Sequence, residues 1–288
     1  MKGLAKYITK NYSPRSLQNY LYLIERYKTF THEPETAVYA DVLRYIAHLR
    51  ELKKHPKTLR NHLFAVKIYY RYLVETGQRK THPCQSLQLK DRINRAVDVQ
   101  SLYAMDEMLI FLESCQTQTP IGQRQKVITG LLVYQALIAQ EIAGLDLADI
   151  DLDKGTVNVK KSAKLNARTL DLKPSQIMLL HTYMTESREK LLIRNSKITT
   201  EALIITRYGK RIPAGTVAMA TNYGRKETEK MQPLKIRQSV IAHLLKNGND
   251  LRVVQVFAGH KRASATESYK QTGLEQLKTI IDKLHPLQ

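Results

Sequence analysis

The amino-acid sequence predicts a mainly α-helical protein with one small β-sheet, built as two domains. Three observations carry this. Apolar residues recur at helical spacing along most of the 288 residues. Strand-like character is confined to one stretch, from about 156 to 172, with a second short run near 202. The periodicity stops between about 78 and 100, where Gly77, His82-Pro83, Ser86 and the mixed-charge run QLKDRINRAVD take its place. The expected layout is a helical domain over 1–85, a linker over 86–100 and a larger domain over 101–288.

Taken in order, Met1 to Ser13 is polar and basic and carries no secretory signal pattern. Ser13-Pro14 is a helix start, with serine as N-cap and proline at the first helical position. Leu17, Tyr20, Leu21, Ile24 and Tyr27 follow on one face. Val42, Tyr45, Ile46 and Leu49 make a second stripe that ends before His55-Pro56. Leu59, Leu63, Val66, Tyr70 and Leu73 make a third, stopped by Gly77, while Lys57, Arg60, Lys67 and Arg71 lie off its apolar face. These three stripes form a small bundle.

In the second domain, 102–112 is an amphipathic helix and 126–143 a longer, more apolar one. Thr156 to Lys160 and Arg168 to Leu172 are two strands joined by KKSAKLNA. Pro174 opens a helix over 175–192, 202–206 is a short strand, and 213–222 is helical. Leu234 to Asn247 is a helix with Arg237 in its first turn. Gly248-Asn249-Asp250 stops it and offers an N-cap for Leu251 to Ala258. Gly259-His260, a basic turn at Lys261-Arg262 and a short segment ending near Tyr269 complete this unit. A last apolar stripe, Leu274, Leu277, Ile280, Ile281 and Leu284, predicts a final helix.

Charge narrows the partner. Lys and Arg number 46 against 26 Asp and Glu, a formal net charge of +20. Residues 1–100 hold 19 basic and 8 acidic side chains and the remainder 27 and 18, so both halves are basic. That distribution suits a clamp on a polyanion better than a basic tail does. The two cysteines, Cys84 and Cys115, have no metal-ligand spacing beside them, so no metal is expected, and their scarcity fits a reducing cytoplasm. The most apolar run, 128–139, is too short to cross a bilayer.

The stretch from Leu234 to Tyr269 resembles the C-terminal boxes of the tyrosine recombinases, the phage-integrase family. Arg237, the turn at 248–250, Ala258-Gly259-His260 and Tyr269, nine residues after the histidine, stand at the matching positions. The resemblance implies a helical core-binding domain over 1–85 and an α+β catalytic domain over 101–288. It implies a tyrosine hydroxyl that attacks a DNA phosphodiester, leaving a 3′-phosphotyrosine and a free 5′-hydroxyl, with no cofactor. Tyr269 is then the nucleophile, Arg237 a clamp on the scissile phosphate, and His260 a donor to a non-bridging oxygen. Lys164 is the hairpin lysine that protonates the leaving group, with Lys160 and Lys161 as alternatives. Lys57, Arg60, Lys67 and Arg71 become phosphate contacts, which set affinity rather than sequence preference.

The implied partner is double-stranded DNA, bound by a dimer or tetramer in the cytoplasm at the nucleoid, with no membrane. The final helix, 274–284, is expected to dock on a neighbouring protomer or on its own domain. The implied function is site-specific recombination, integration or transposition of a mobile element.

Two positions depart from the family pattern. Its first box reads Thr-Gly-Leu-Arg-x-x-Glu; here Gln135 to Glu141 match, with Ile138 in place of the arginine. The second-box histidine is replaced by Leu234. Arg124, Arg168, Arg207 and Lys235 are the cations available to compensate. The alternative is a catalytically degenerate homologue that binds, bends or blocks DNA. A type IB topoisomerase shares the chemistry but not this layout.

Overall fold

The computed structural model describes residues 2–91, 101–193 and 200–269. The chain divides into two compact units, Met1–Asn94 and Arg95–Gln288.

The first unit is helical. Its elements are α1 (Lys2–Asn11), α2 (Leu17–Phe30), α3 (Tyr39–Glu51) and α4 (Pro56–Glu75). The N-terminal segment, expected only as polar and basic, is the helix α1. Leu4 and Ile8, one turn apart, anchor it in the core. Ser13 makes no side-chain cap. Pro14 opens a single 3-10 turn, and α2 begins three residues later. The predicted apolar face of α4, Leu59, Leu63, Val66, Tyr70 and Leu73, is buried throughout. The buried tyrosine hydroxyls and His62 inside this core are paired. The Tyr27 and Tyr70 hydroxyls are 2.6 Å apart, and Tyr70 donates to the Pro34 carbonyl at 2.9 Å. Tyr45 and His62 meet at 2.7 Å. Beyond α4 the chain returns along the bundle: Cys84 and Leu87 are buried in the same core.

The second unit surrounds α6 (Pro120–Gln135), which follows α5 (Met105–Glu113). Thr119 caps α6 by accepting the Gly122 N–H at 3.1 Å, with Pro120 in the first turn. The long helix expected over 126–143 is two helices. The break is at Ala136, buried in the left-handed region (φ 49°, ψ 35°), after which Ile138 caps α7 (Ala139–Gly144). A run of helix-compatible apolar residues hides this reversal from the sequence, because alanine advertises no left-handed turn.

The sheet is antiparallel, β1 (Ile150–Asp151), β2 (Thr156–Val159) and β3 (Arg168–Asp171) in that order, with Val157 opposite Leu170. The helix from Pro174 comprises α8 (Pro174–Thr182), a wide π-type turn at Tyr183–Ser187, and α9 (Arg188–Ile193). The strand expected at 202–206 is buried over 202–205 but bends at Leu203 and Ile204. Among the described residues its bridges are the isolated pairs Asp146 with Ala202 and Ile205 with Arg211, reinforced by Leu203 N–H to the Leu145 carbonyl at 2.9 Å and Ile212 N–H to the Ile204 carbonyl at 3.1 Å. The predicted helix at 213–222 shortens to a 3-10 turn and α10 (Val217–Thr221). Then come α11 (Pro233–Lys246), α12 (Leu251–Ala258) and a helix over 264–269. The helix expected over 274–284 lies outside the described residues.

Tyr70 offers a test of the first unit. Tyr70→Phe removes the only donor to the Pro34 carbonyl among the described residues and strands the Tyr27 hydroxyl in the core. Urea unfolding is expected to show a loss of about 1–3 kcal/mol.

Candidate active site

Three elements of the second unit meet at one buried charge. Glu141, in the first turn of α7, accepts from Arg168 twice, Nη1 to Oε1 at 2.6 Å and Nη2 to Oε2 at 3.1 Å. Its Oε2 also accepts the Ile138 backbone N–H at 3.0 Å, so the same carboxylate caps α7. Arg237 Nη1, from α11, lies 4.0 Å from Oε2. The side chains of Arg168, Arg237 and Glu141 are all under 5% exposed. Two guanidinium groups around one carboxylate leave a net positive charge in a place shielded from water.

Arg237 is held by backbone. Its Nη1 donates to the Ala136 carbonyl and its Nη2 to the Ala258 carbonyl, both at 2.6 Å. The left-handed reversal at Ala136 thus aims a carbonyl at the arginine. Two of its five donors are used on backbone, and Nη1 also faces Glu141.

Asp250 caps α12 by accepting from the Arg252 and Val253 N–H groups at 2.7 and 3.3 Å. The helix ends at Gly259, in the left-handed region at φ 68°. Glycine is required twice over here. A Cβ at 259 would stand 2.6 Å from Arg168 Nη1 and 3.1 Å from the Asn166 carbonyl. The Gly259 carbonyl accepts the Asn166 N–H at 2.8 Å, and His260 bridges Leu165. Lys261 Nζ donates to the Ala163 carbonyl at 2.8 Å. The β2–β3 loop is therefore fastened to the Gly-His turn.

His260 places Nδ1 2.8 Å from the Thr266 hydroxyl, and its ring lies nearly parallel to that of Tyr269, 14° apart with centroids at 6.5 Å. Burial first, then the positive charges of Arg237 and Arg168, push the imidazole down to about 4, against a smaller opposing pull from Glu141. His260 is thus neutral at physiological pH. Its folded pKa lies below the ordinary ~6.5, so the stability linked to it is complete above that value. That stability is lost as pH falls toward about 4. Burial raises the Tyr269 phenol above its ordinary range, and Arg237 works against that rise.

The structure thus brings Arg237, His260 and Tyr269 together. Lys164 is exposed on the β2–β3 loop, where its backbone N–H meets the Ser162 hydroxyl at 3.3 Å. Of the alternatives, Lys161 is also exposed, while Lys160 is committed to Asp146 and Asp149 at 2.6 and 2.9 Å. Among the four compensating cations, Arg168 alone lies in this cluster. Arg124 is buried against the Ile205 carbonyl, Arg207 stacks on Tyr208, and Lys235 sits 4.4 Å from the centre of the Tyr103 ring. Leu234 is 64% exposed. Sequence reasoning misses the role of Thr266. The available signal is its place three residues before Tyr269, on the same face of one helix turn.

In the first unit, Lys57, Arg60, Lys67 and Arg71 fall within about 80° of arc on α4 at ~100° per residue. Arg60 donates to the Asp91 carbonyl at 2.7 Å and Lys67 to the Gln85 carbonyl at 2.8 Å, so both also pin the returning segment. Arg71 bonds the Tyr12 hydroxyl at 2.8 Å, and Lys57 is exposed in the first turn. Phe64 is exposed in the middle of this stripe, edge-on to Tyr12.

A helical unit followed by an α+β unit that clusters arginine, histidine and tyrosine is the layout of the tyrosine recombinases. The chain belongs to the phage integrase family: residues 101–275 match that family and residues 3–79 match its N-terminal SAM-like domain. It is 25% identical to tyrosine recombinase XerD of Listeria innocua, over 99% of this chain and 94% of that one. It is 28% identical to XerC of Pelotomaculum thermopropionicum, over 97% and 94%. Among solved structures it is similar in fold to a Tn1549 transposon integrase in complex with transposon right end DNA, with a TM-score of 0.65, 15% identity and 98% of each chain covered. It is also similar to a lambda integrase dimer bound to a core site, with a TM-score of 0.62, 15% identity and 92% of each chain covered. Among the described residues, no helix is long and apolar enough to cross a membrane, and no group of His, Cys, Asp or Glu is placed to hold a metal.

Glu141→Ala leaves Arg168 and Arg237 facing each other without a counter-charge and uncaps α7. The expected cost is about 3–5 kcal/mol in chemical denaturation.

Proposed function

We propose that this chain is an active site-specific recombinase or integrase of a mobile element, cutting duplex DNA with Tyr269 and rejoining it through a 3′-phosphotyrosine. The convergence of Arg237, His260 and Tyr269 on a buried, net-positive cluster supports this best. The phenol gives up its proton to solvent as its oxygen forms a bond to phosphorus and the bond to the 5′-oxygen breaks, and the leaving oxygen takes a proton. A 5′-hydroxyl of a partner strand later reverses the step, so the bond energy is kept. The transition state gathers negative charge on the non-bridging oxygens. Arg237, pre-set by two carbonyls, presents its free N–H groups to that charge; one such donor is worth ~10²–10³ in rate.

Arg168 supplies the second buried positive charge that the family pattern would have drawn from position 138. Lys164 is the proposed proton donor to the leaving group, since Lys160 is held by two aspartates. The degenerate-homologue reading rests on Ile138 and Leu234. It is weakened by Arg168, which returns a cation to the cluster. DNA is the partner, held by the basic stripe of α4 as well as by the second unit, with a dimer or tetramer assembling on it.

A nicked suicide duplex, chosen from a random library by binding, is expected to trap a covalent adduct through a 3′-phosphate. Tyr269→Phe should abolish the adduct and keep DNA affinity. An adduct that survives in the Phe variant moves the nucleophile elsewhere, with exposed Tyr223 the next to test. If the wild type gives no adduct on any bound duplex, the degenerate reading takes over.

The α4 stripe has its own test. Lys57→Glu with Arg71→Glu avoids the two residues that pin segment 84–91. Plotted as log affinity against log salt, DNA binding should flatten in slope by roughly 1.8, about 0.9 for each phosphate that is no longer neutralised. An unchanged slope removes this face from the interface.

A further inference from the structure

The Thr266 hydroxyl is fully buried, and its one hydrogen-bond partner among the described residues is His260 Nδ1, at 2.8 Å. A hydroxyl proton out of reach of water needs an acceptor. Here the acceptor on offer is the imidazole nitrogen. If Nδ1 instead carried the ring proton, two donors would face each other or the hydroxyl proton would be left buried and unpaired. Accepting from Thr266 therefore puts the ring's own proton on Nε2.

The rest of the ring's surroundings keep it in place. Its backbone N–H donates to the Gln255 carbonyl at 3.0 Å, and its carbonyl accepts from Gln255 Nε2 at 3.1 Å. Tyr269 stacks near its plane from the same short helix that carries Thr266. The charged groups around it are Arg237 from α11, Arg168 from β3 and Glu141 from α7. Two of these three are cations, so a second proton on the ring is disfavoured and its single proton has to be on the useful nitrogen.

We propose that Thr266 is a positioning residue that fixes His260 as the Nε2–H tautomer, so that a neutral imidazole presents an N–H donor to the scissile phosphate. This rests on the recombinase reading for its purpose, but the tautomer itself does not. Thr266 touches no substrate; it acts through His260 alone. Because Thr266 and Tyr269 lie three residues apart on one helix, the same hydrogen bond also sets the imidazole against the nucleophile.

The test is a long-range 1H–15N correlation spectrum of the full chain with 15N-labelled histidine, at pH 7 without DNA, with His260 assigned by His260→Gln. The wild type is expected to show a protonated Nε2 and a bare Nδ1. Thr266→Val, close in shape but without the hydroxyl, should lose that single tautomer and form the suicide-substrate adduct roughly 10²-fold more slowly at unchanged DNA affinity. Thr266→Ser should restore both. A wild-type spectrum with Nδ1 protonated or with a doubly protonated ring overturns the proposal, as does a valine variant that keeps the wild-type tautomer. Should the valine variant fail to fold, the wild-type and serine spectra decide it. A wild type that shows the expected tautomer but yields no adduct upholds the role of Thr266 and defeats only the recombinase reading.

Discussion

The catalytic unit depends on one buried carboxylate. Glu141 joins β3 through Arg168, faces α11 through Arg237 and caps its own helix through the Ile138 N–H. Each of these interactions is worth little alone, because burying ions costs several kcal/mol before any attraction is counted. Their value is positional. Remove the carboxylate and two guanidinium groups face each other with no water to screen them. With it, both arginines are fixed before a ligand arrives, and the cluster still carries net positive charge. A site for a phosphodiester needs that combination: cations already in place, so that none has to be ordered at the moment of reaction.

The same constraint explains the Gly-His turn. Arg168 can reach Glu141 only because residue 259 has no side chain, and the left-handed φ there suits glycine for a second reason. The turn then delivers His260 beside the two arginines, and burial first, then those two charges, keep its imidazole neutral. On the proposed reading, the charge for binding a phosphate then comes from the arginines, while the histidine contributes a dipolar N–H. The three residues are not interchangeable sources of positive charge.

How much of this can be read from the sequence differs by element, for physical reasons. Helices α2, α3, α4, α11 and α12 are legible because each buries one apolar face at helical spacing, and α4, α11 and α12 are also bounded by glycine, proline or a capping aspartate. The reversal at Ala136 is not, since a left-handed alanine is stabilised by tertiary packing that leaves no local mark. Nor is the strand-like run at 202–206, because full burial produces the same apolar string whether or not a neighbouring strand pairs with it. In the site, Arg237, His260 and Tyr269 are legible through spacing. Thr266 is not, because a lone threonine in a short helix carries no signal until its partner is known. Arg168 is recognisable as a cation, but its pairing spans 27 residues and crosses from helix to strand, beyond any periodicity.

The two departures from the family pattern now separate into different cases. At position 138 the side chain is half-buried, while the backbone N–H holds Glu141, so what this position contributes is the cap. On the reading proposed above, Arg168 of β3, paired with the same carboxylate, is the cation that takes its place. At position 234 no such replacement occurs. Leu234 is exposed in the first turn of α11, and the adjacent Lys235 is turned to the Tyr103 ring, roughly 100° of helix away. The cluster therefore has two arginines and one histidine around the tyrosine, with one polar group fewer than the pattern provides. If the chain is the active recombinase proposed above, the worth of a single preorganised donor, ~10²–10³ in rate, makes such a site slower than a complete one.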